Sequence, residues 1–268
     1  MSPSPIGVFD SGVGGLSVLN ALCEALPRER FVYFADTGHA PYGERGDAFV
    51  AMRTRAVAHH LLEQHRIKAL VVACNTATAA AIHELRREHL ALPVIGVEPA
   101  LKPAVAATRT GRIAVIATRV TLESRKFETL RASLAGQADF RVVPCDGLAG
   151  AIERGDASEV ARLSERYLRD AGSFGSAPGQ IDTLVLGCTH YPFIAAELRR
   201  HCGESVRFMD TGAPVALQTR RLLADAGQLA ALGEGSIVLL STAAPSALDA
   251  AATRWLARPA TAAALAVA

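Results

Sequence analysis

Short runs of aliphatic and aromatic residues alternate along the chain with longer stretches in which apolar positions recur every three or four residues. The runs are Ile6–Phe9, Phe31–Phe34, Ala69–Ala73, Val94–Val97, Ile113–Ala117, Arg141–Val143, Thr183–Leu186, Val206–Met209 and Ile237–Leu240. Most are nearly continuous in β-branched and aliphatic residues, the pattern of strands buried on both faces. Between them, Leu16–Leu26, Asp47–His65, Ala77–His89, Leu122–Leu134 and Ser158–Ala171 read as helices. Strand–helix alternation of this kind predicts an α/β fold of mostly parallel sheets flanked by helices. Such sheets hold ligands beyond the carboxyl ends of their strands.

The pattern repeats. Leu70-Val71-Val72-Ala73-Cys74-Asn75-Thr76 resembles Leu184-Val185-Leu186-Gly187-Cys188-Thr189-His190, and the helical stretches after them reach Glu84-Leu85-Arg86-Arg87 and Glu197-Leu198-Arg199-Arg200. Ile6-Gly7-Val8-Phe9-Asp10-Ser11 similarly resembles Ile113-Ala114-Val115-Ile116-Ala117-Thr118. Any two βα units share apolar runs, so the helices alone prove little. A cysteine at the same place in both units is harder to assign to chance, and two related α/β halves are expected.

Bulk properties narrow the function classes. The 268 residues suffice for one large or two small domains. With 28 basic and 26 acidic residues and no long run of either sign, there is no electrostatic case for nucleic acid. The start, Met1-Ser2-Pro3-Ser4-Pro5, lacks the basic and apolar segments of a signal peptide. Little precedes the first strand, so an added regulatory segment there is not expected. The Ala-rich tail from Ala243 is broken by Asp249, Arg254, Arg258 and Pro259, so no membrane span is expected and the cytoplasm is the default compartment. Five widely spaced cysteines without a CxxC pair argue against a disulfide framework or a structural zinc site. None of the three lysines (Lys68, Lys102, Lys126) sits in a motif loop, so a pyridoxal cofactor is not expected.

Cys74 and Cys188 are the leading candidates for chemistry. A thiol at the end of a parallel strand, entering a helix, meets unpaired backbone N–H groups and a partial positive charge, which favour the thiolate. Asn75, Thr76, Thr189 and His190 add donors beside them. A buried, inert cysteine is the commoner fate, and Cys23, Cys145 and Cys202 are read that way. His190, two residues past a thiol, is placed to activate it. His59, His60, His83, His89 and His201 are read as solvated surface. Asp10-Ser11-Gly12-Val13-Gly14-Gly15 is no nucleotide loop, lacking Gly-Lys-Ser/Thr. Its bland reading is a tight strand-to-helix turn with a helix cap, and its functional reading adds Asp10 as a carboxylate that meets an ammonium group or orients a proton-transfer partner. Ala35–Arg45 reads as a surface loop or a substrate loop.

Taken together, Val8-Phe9-Asp10-Ser11-Gly12-Val13-Gly14-Gly15, Ala40-Pro41-Tyr42-Gly43, Ala73-Cys74-Asn75-Thr76-Ala77 and Gly187-Cys188-Thr189-His190-Tyr191-Pro192 resemble the bacterial glutamate racemases, and the likeness continues through Asp210-Thr211-Gly212. The resemblance implies cofactor-independent interconversion of L- and D-glutamate, supplying D-glutamate for peptidoglycan. It implies Cys74 and Cys188 as the acid/base pair, assisted by Asp10 and His190. Asp10, Ser11, Pro41, Tyr42, Gly43, Asn75, Thr76, Thr189 and His190 would line the substrate site. Thr118 and Thr121 would lie near it, and Glu153 would assist on the Cys188 side.

The implied fold has two pseudo-symmetric α/β domains, residues 1–99 with 209–268 and residues 100–208, with the active site in the cleft between them. No metal is implied, the partner is glutamate, and a homodimer is admitted but not specified. An aspartate racemase differs only in pocket depth. A single-cysteine hydrolase or transferase, or a non-catalytic amino-acid-binding protein, would leave one or both thiols dispensable.

Overall fold

A computed structural model describes the protein over residues 4–264. Its strands, in chain order, are β1 (Ile6–Asp10), β2 (Arg30–Ala35), β3 (Ala69–Val72), β4 (Val94–Gly96), β5 (Arg112–Ala117), β6 (Asp139–Pro144), β7 (Thr183–Leu186), β8 (Arg207–Met209), β9 (Ser236–Ser241) and β10 (Ala262–Ala264). The chain divides into two compact units, one of residues up to Val97 and from Gly212 onward, the other Glu98–Thr211.

The first unit carries a six-stranded sheet in the order β10-β9-β2-β1-β3-β4, and the second a four-stranded sheet in the order β6-β5-β7-β8. Neighbouring strands pair in parallel. The order β2-β1-β3-β4 and the order β6-β5-β7-β8 are one connectivity used twice, which is the physical content of the sequence repeat. Burial explains the apolar runs: every residue of β1 and of β7 is buried. On one face of the first sheet, Phe9, Phe34 and Val72 pack with Val50, Val57 and Leu61 of the helix Asp47–His65 and with Leu85 of the helix Asn75–Glu88. In the second unit, Ile113, Val115 and Val185 pack with Leu101, Phe127 and Leu130. Each such large apolar side chain contributes roughly 1.5–3 kcal/mol when fully buried.

Three local readings of the sequence are corrected, and one strand is added. The apolar period across Leu122–Leu134 is carried by two helices, Arg119–Glu123 and Arg125–Ala132. Ser124 breaks it with an extended backbone (ψ 141°), and its hydroxyl caps the second helix by accepting from Phe127 N at 3.1 Å. The helix after β3 begins at Asn75, two residues earlier than its apolar period suggests. β10 is three alanines, a composition without strand preference, held by pairing to the edge of β9. His60 is not solvated: it is half-buried with its edge against Phe34, ring centroids 5.7 Å apart, and its Nε2 has no hydrogen-bond partner in the protein.

Register places the functional candidates. Phe9 pairs with Val72, and Ala73 N donates to Phe9 O at 2.7 Å, so Asp10 and Cys74 leave adjacent strands at the same end. In the second unit Ile116 pairs with Leu186 and Gly187 N donates to Ile116 O at 2.8 Å, so Thr118 and Cys188 leave theirs likewise. No helix among the described residues is long and apolar enough to cross a membrane.

Candidate active site

In the first unit the site is built on the ends of β1 and β3. Asp10 is fully buried, and its Oδ1 accepts from Gly12 N at 2.7 Å, closing the turn that leads into the helix Leu16–Ala25. Gly15 is required there, since a Cβ on it would stand 2.6 Å from the Asp10 Cβ. Cys74 occupies the N-cap of the helix Asn75–Glu88 and its Sγ accepts from Ala77 N at 3.4 Å. Ser11 Oγ lies 3.6 Å from the same sulfur. The helix end therefore offers the expected donors, but they do not prevail. Burial, and then the negative charge of Asp10, push the Cys74 thiol up to about 12 against the Ala77 and Ser11 hydrogen bonds. Cys74 is held as a thiol. Asn75 and Thr76 are buried beside it, and neither amide atom of Asn75 has a hydrogen-bond partner in the protein. A buried, unmatched amide is uncommon in protein interiors.

The loop after β2 belongs to the same unit. Pro41 is exposed, Gly43 half-buried, and Tyr42 is buried in the cluster that contains Phe9, Val72 and Cys74. The Tyr42 hydroxyl donates to Asp36 Oδ2 at 2.6 Å. Asp36 in turn is gripped by Arg53. Neither Asp36 nor Arg53 was singled out by the sequence pattern.

In the second unit the site is built on the end of β7. Gly187 is again required, because a Cβ would meet the Ala117 Cβ at 2.8 Å. Cys188, Thr189 and His190 are buried. Here the sequence expectation of a helix N-terminus is corrected. The chain enters a 3-10 turn, Tyr191–Ile194, and a regular helix starts only at Ala195. What faces the sulfur is an imidazole, with His190 Nδ1 3.5 Å from Cys188 Sγ. The other ring nitrogen, Nε2, lies 2.8 Å from Glu153 Oε1, at the end of the helix Leu148–Arg154. Burial alone would lower the His190 pKa, but its bonds to Cys188 and Glu153 outweigh burial and hold it well above 6.5. Glu153, His190 and Cys188 thus form a chain of carboxylate, imidazolium and sulfur. Thr118 caps the short helix after β5, its Oγ1 donating to Thr121 Oγ1 at 2.9 Å, on the strand next to β7.

The structure therefore brings Asp10, Ser11, Cys74, Asn75, Thr76 and Tyr42 to one strand-end region of the first unit. It brings Cys188, Thr189, His190 and Glu153 together in the second. No three His, Cys, Asp or Glu side chains among the described residues are grouped so as to hold a metal ion.

A family model described as Asp/Glu/Hydantoin racemase matches residues 6–219. The chain is 49% identical over 226 residues to the glutamate racemase of Ectopseudomonas mendocina (strain ymp), covering 83% of each. It is 48% identical over 242 residues to that of Ralstonia nicotianae (strain ATCC BAA-1114 / GMI1000), covering 90% of this chain and 85% of the other. Among solved structures it resembles glutamate racemase isoform RacE1 from Bacillus anthracis, with a TM-score of 0.88 and 32% identity over 100% of this chain and 99% of that one. It also resembles the Escherichia coli glutamate racemase in complex with L-glutamate and the activator UDP-MurNAc-ala, with a TM-score of 0.83 and 31% identity over 99% of this chain and 100% of that one.

Proposed function

The chain belongs to the Asp/Glu/hydantoin racemase family, and from that premise we propose that it interconverts L- and D-glutamate without a cofactor, using Cys74 and Cys188 as paired acid and base. The thiolate of one cysteine removes the α-proton of glutamate and leaves the electron pair on the α-carbon. The thiol of the other gives its proton to the opposite face, so the first cysteine ends as a thiol and the second as a thiolate. The reverse reaction exchanges the roles. This reading requires both strand-end regions to act on one substrate molecule.

The observation that carries it is the pair of thiols at equivalent strand ends of a connectivity used twice, each with a different helper. The α-proton is very weakly acidic, so the carbanion must be met by preorganised donors. Burial and the negative charge of Asp10 hold Cys74 as a thiol, while Cys188 has the imidazole of His190 at its sulfur. The two members of the pair thereby have different proton-transfer neighbours. Asn75, buried with its amide unmatched, supports a role in holding the substrate. Ser11, Pro41, Tyr42, Gly43, Thr76 and Thr189 complete the proposed lining, and Glu153 acts through His190. The product would serve peptidoglycan synthesis in the cytoplasm.

Incubation with L-glutamate in deuterated water, with no cofactor added, tests the proposal. Optical rotation should decay to zero while deuterium enters the α-position. Absence of both exchange and inversion overturns it. Faster turnover of aspartate than of glutamate would transfer the activity to the shorter acidic amino acid.

A further inference from the structure

We propose that Asp36 is a positioning residue: its buried carboxylate, held by Arg53, fixes the hydroxyl of Tyr42 and with it the loop that carries Pro41, Tyr42 and Gly43. This rests on the reading that the loop lines the glutamate site.

Asp36 follows β2 directly, and its backbone N–H donates to Asp10 O at 3.0 Å. It is fully buried and Arg53 nearly so. The guanidinium reaches both carboxylate oxygens, Nε to Oδ2 at 3.0 Å and Nη2 to Oδ1 at 3.1 Å. Three further partners converge on the same two oxygens: Tyr42 Oη on Oδ2 at 2.6 Å, Thr242 Oγ1 on Oδ1 at 2.9 Å and His39 Nδ1 on Oδ1 at 2.9 Å. His39 and Tyr42 both belong to the loop.

Stability alone does not call for an ion pair here. A buried pair is often no better than apolar side chains of the same volume, since desolvation offsets the attraction. What the carboxylate adds is a fixed acceptor for loop donors, with Arg53 neutralising its charge and orienting its plane. The loop is also tied down at its start, where Thr37 Oγ1 lies 2.7 Å from Ser241 Oγ and Gly38 N donates to Thr242 Oγ1 at 3.0 Å, whereas Pro41 and Glu44 lie at the surface and the Tyr42 hydroxyl bonds to Asp36. The Tyr42 ring packs against Phe9, with centroids 6.2 Å apart, in the cluster that includes Cys74. A ring pinned at its hydroxyl holds the backbone of Tyr42 and Gly43 in one place.

The test uses the full-length chain and initial rates in both directions. Tyr42→Phe removes only the link between loop and carboxylate and leaves the Arg53–Asp36 pair intact. KM for L- and for D-glutamate should each rise about tenfold, the effect expected for one lost charge-assisted hydrogen bond, with kcat changed less. Asp36→Asn should reproduce the KM effect. Arg53→Lys, which keeps the cation but not the fork, should fall between it and wild type. Asp182→Asn is the control: it removes a buried carboxylate that pins a turn in the second unit and should lower the melting temperature with KM unmoved. If Asp36→Asn does not fold, Tyr42→Phe decides alone. Wild-type KM in Tyr42→Phe, or a fall in kcat alone, overturns the positioning role while leaving the proposed function intact. A wild-type enzyme that does not turn over glutamate overturns both.

Discussion

The carboxylate of Glu153 meets His190 Nε2 at 2.8 Å, while the other ring nitrogen faces Cys188. A histidine bonded on both sides by acceptors keeps its proton, and this one does so despite burial. The thiol in the first unit has the opposite electrostatic setting. The two halves share a connectivity but not a proton inventory.

Removing the carboxylate should therefore show in the pH profile. In Glu153→Gln one of the two bonds that raise the His190 pKa is weakened, so the imidazolium gives up its proton at lower pH. The basic limb of kcat/KM should move down by about one pH unit. The stability linkage has the same sign. A raised folded pKa stabilises fully below the unfolded value near 6.5, and that contribution is lost as pH rises through the folded pKa. The stability gap between wild type and Glu153→Gln should close on the alkaline side, as read from urea midpoints. An unmoved basic limb would detach Glu153 from the chemistry.

The two cysteines provide the most direct test of the mechanism. Cys74→Ala and Cys188→Ala should each lower kcat/KM in both directions, on the order of 10²–10⁴-fold, the range for loss of a positioned acid or base. Near-normal turnover in either variant would leave a one-thiol mechanism, even with glutamate as substrate.

Asp10→Asn separates the two sides of the reaction. The equilibrium constant of a racemisation is unity, so kcat/KM must fall equally in both directions in any variant. The asymmetry appears instead in isotope effects. Asp10 is the second cause, after burial, of the raised Cys74 pKa of about 12. Its loss should lower that value and make Cys74 the readier base. The α-deuterium effect on kcat/KM should then differ between L- and D-glutamate, and in the opposite sense for His190→Asn. The thiolate absorbance of the Asp10→Asn protein should also rise at lower pH. Equal isotope effects in both variants would mean that neither residue belongs to one side.

How much of this was legible in the sequence depended on how local each cause is. Continuous apolar runs marked the strands because burial on both faces is written in consecutive residues, as in β7. The repeat marked Cys74 and Cys188 because strand ends are local too. Ser124 ended a helix against the apolar period, since a hydroxyl cap competes with the period and leaves it unchanged. His190 was legible beside Cys188, but the helix N-terminus expected there was not found, because the Tyr191–Ile194 turn replaces a helix start with no change in hydropathy. Arg53 was invisible for another reason. It reaches Asp36 across 17 residues from inside a helix, and periodicity says only that such a position faces inward, never what it meets there. His60 failed in the same way, because its contact with Phe34 is made by the fold.

Asp182 shows how a buried carboxylate can matter without touching the chemistry. Its oxygens accept from Thr108 Oγ1 at 2.6 Å, Arg109 N at 2.6 Å, Thr110 N at 3.1 Å and Thr183 Oγ1 at 2.9 Å, pinning the turn that leads into β5. Burial opposes its ionisation, but these four bonds together outweigh it, and its pKa is lowered. A depressed folded pKa contributes stability above the unfolded value and loses it as pH falls through the folded one. Asp182→Asn keeps the shape but turns an acceptor toward donors as an amide, and should cost about 1–3 kcal/mol. Urea unfolding at neutral pH should show that loss as a lower midpoint, and the difference from wild type should shrink as pH falls below the ordinary carboxylate range. A difference that persists unchanged in acid would mean that the turn is held by packing, with the carboxylate's charge contributing nothing.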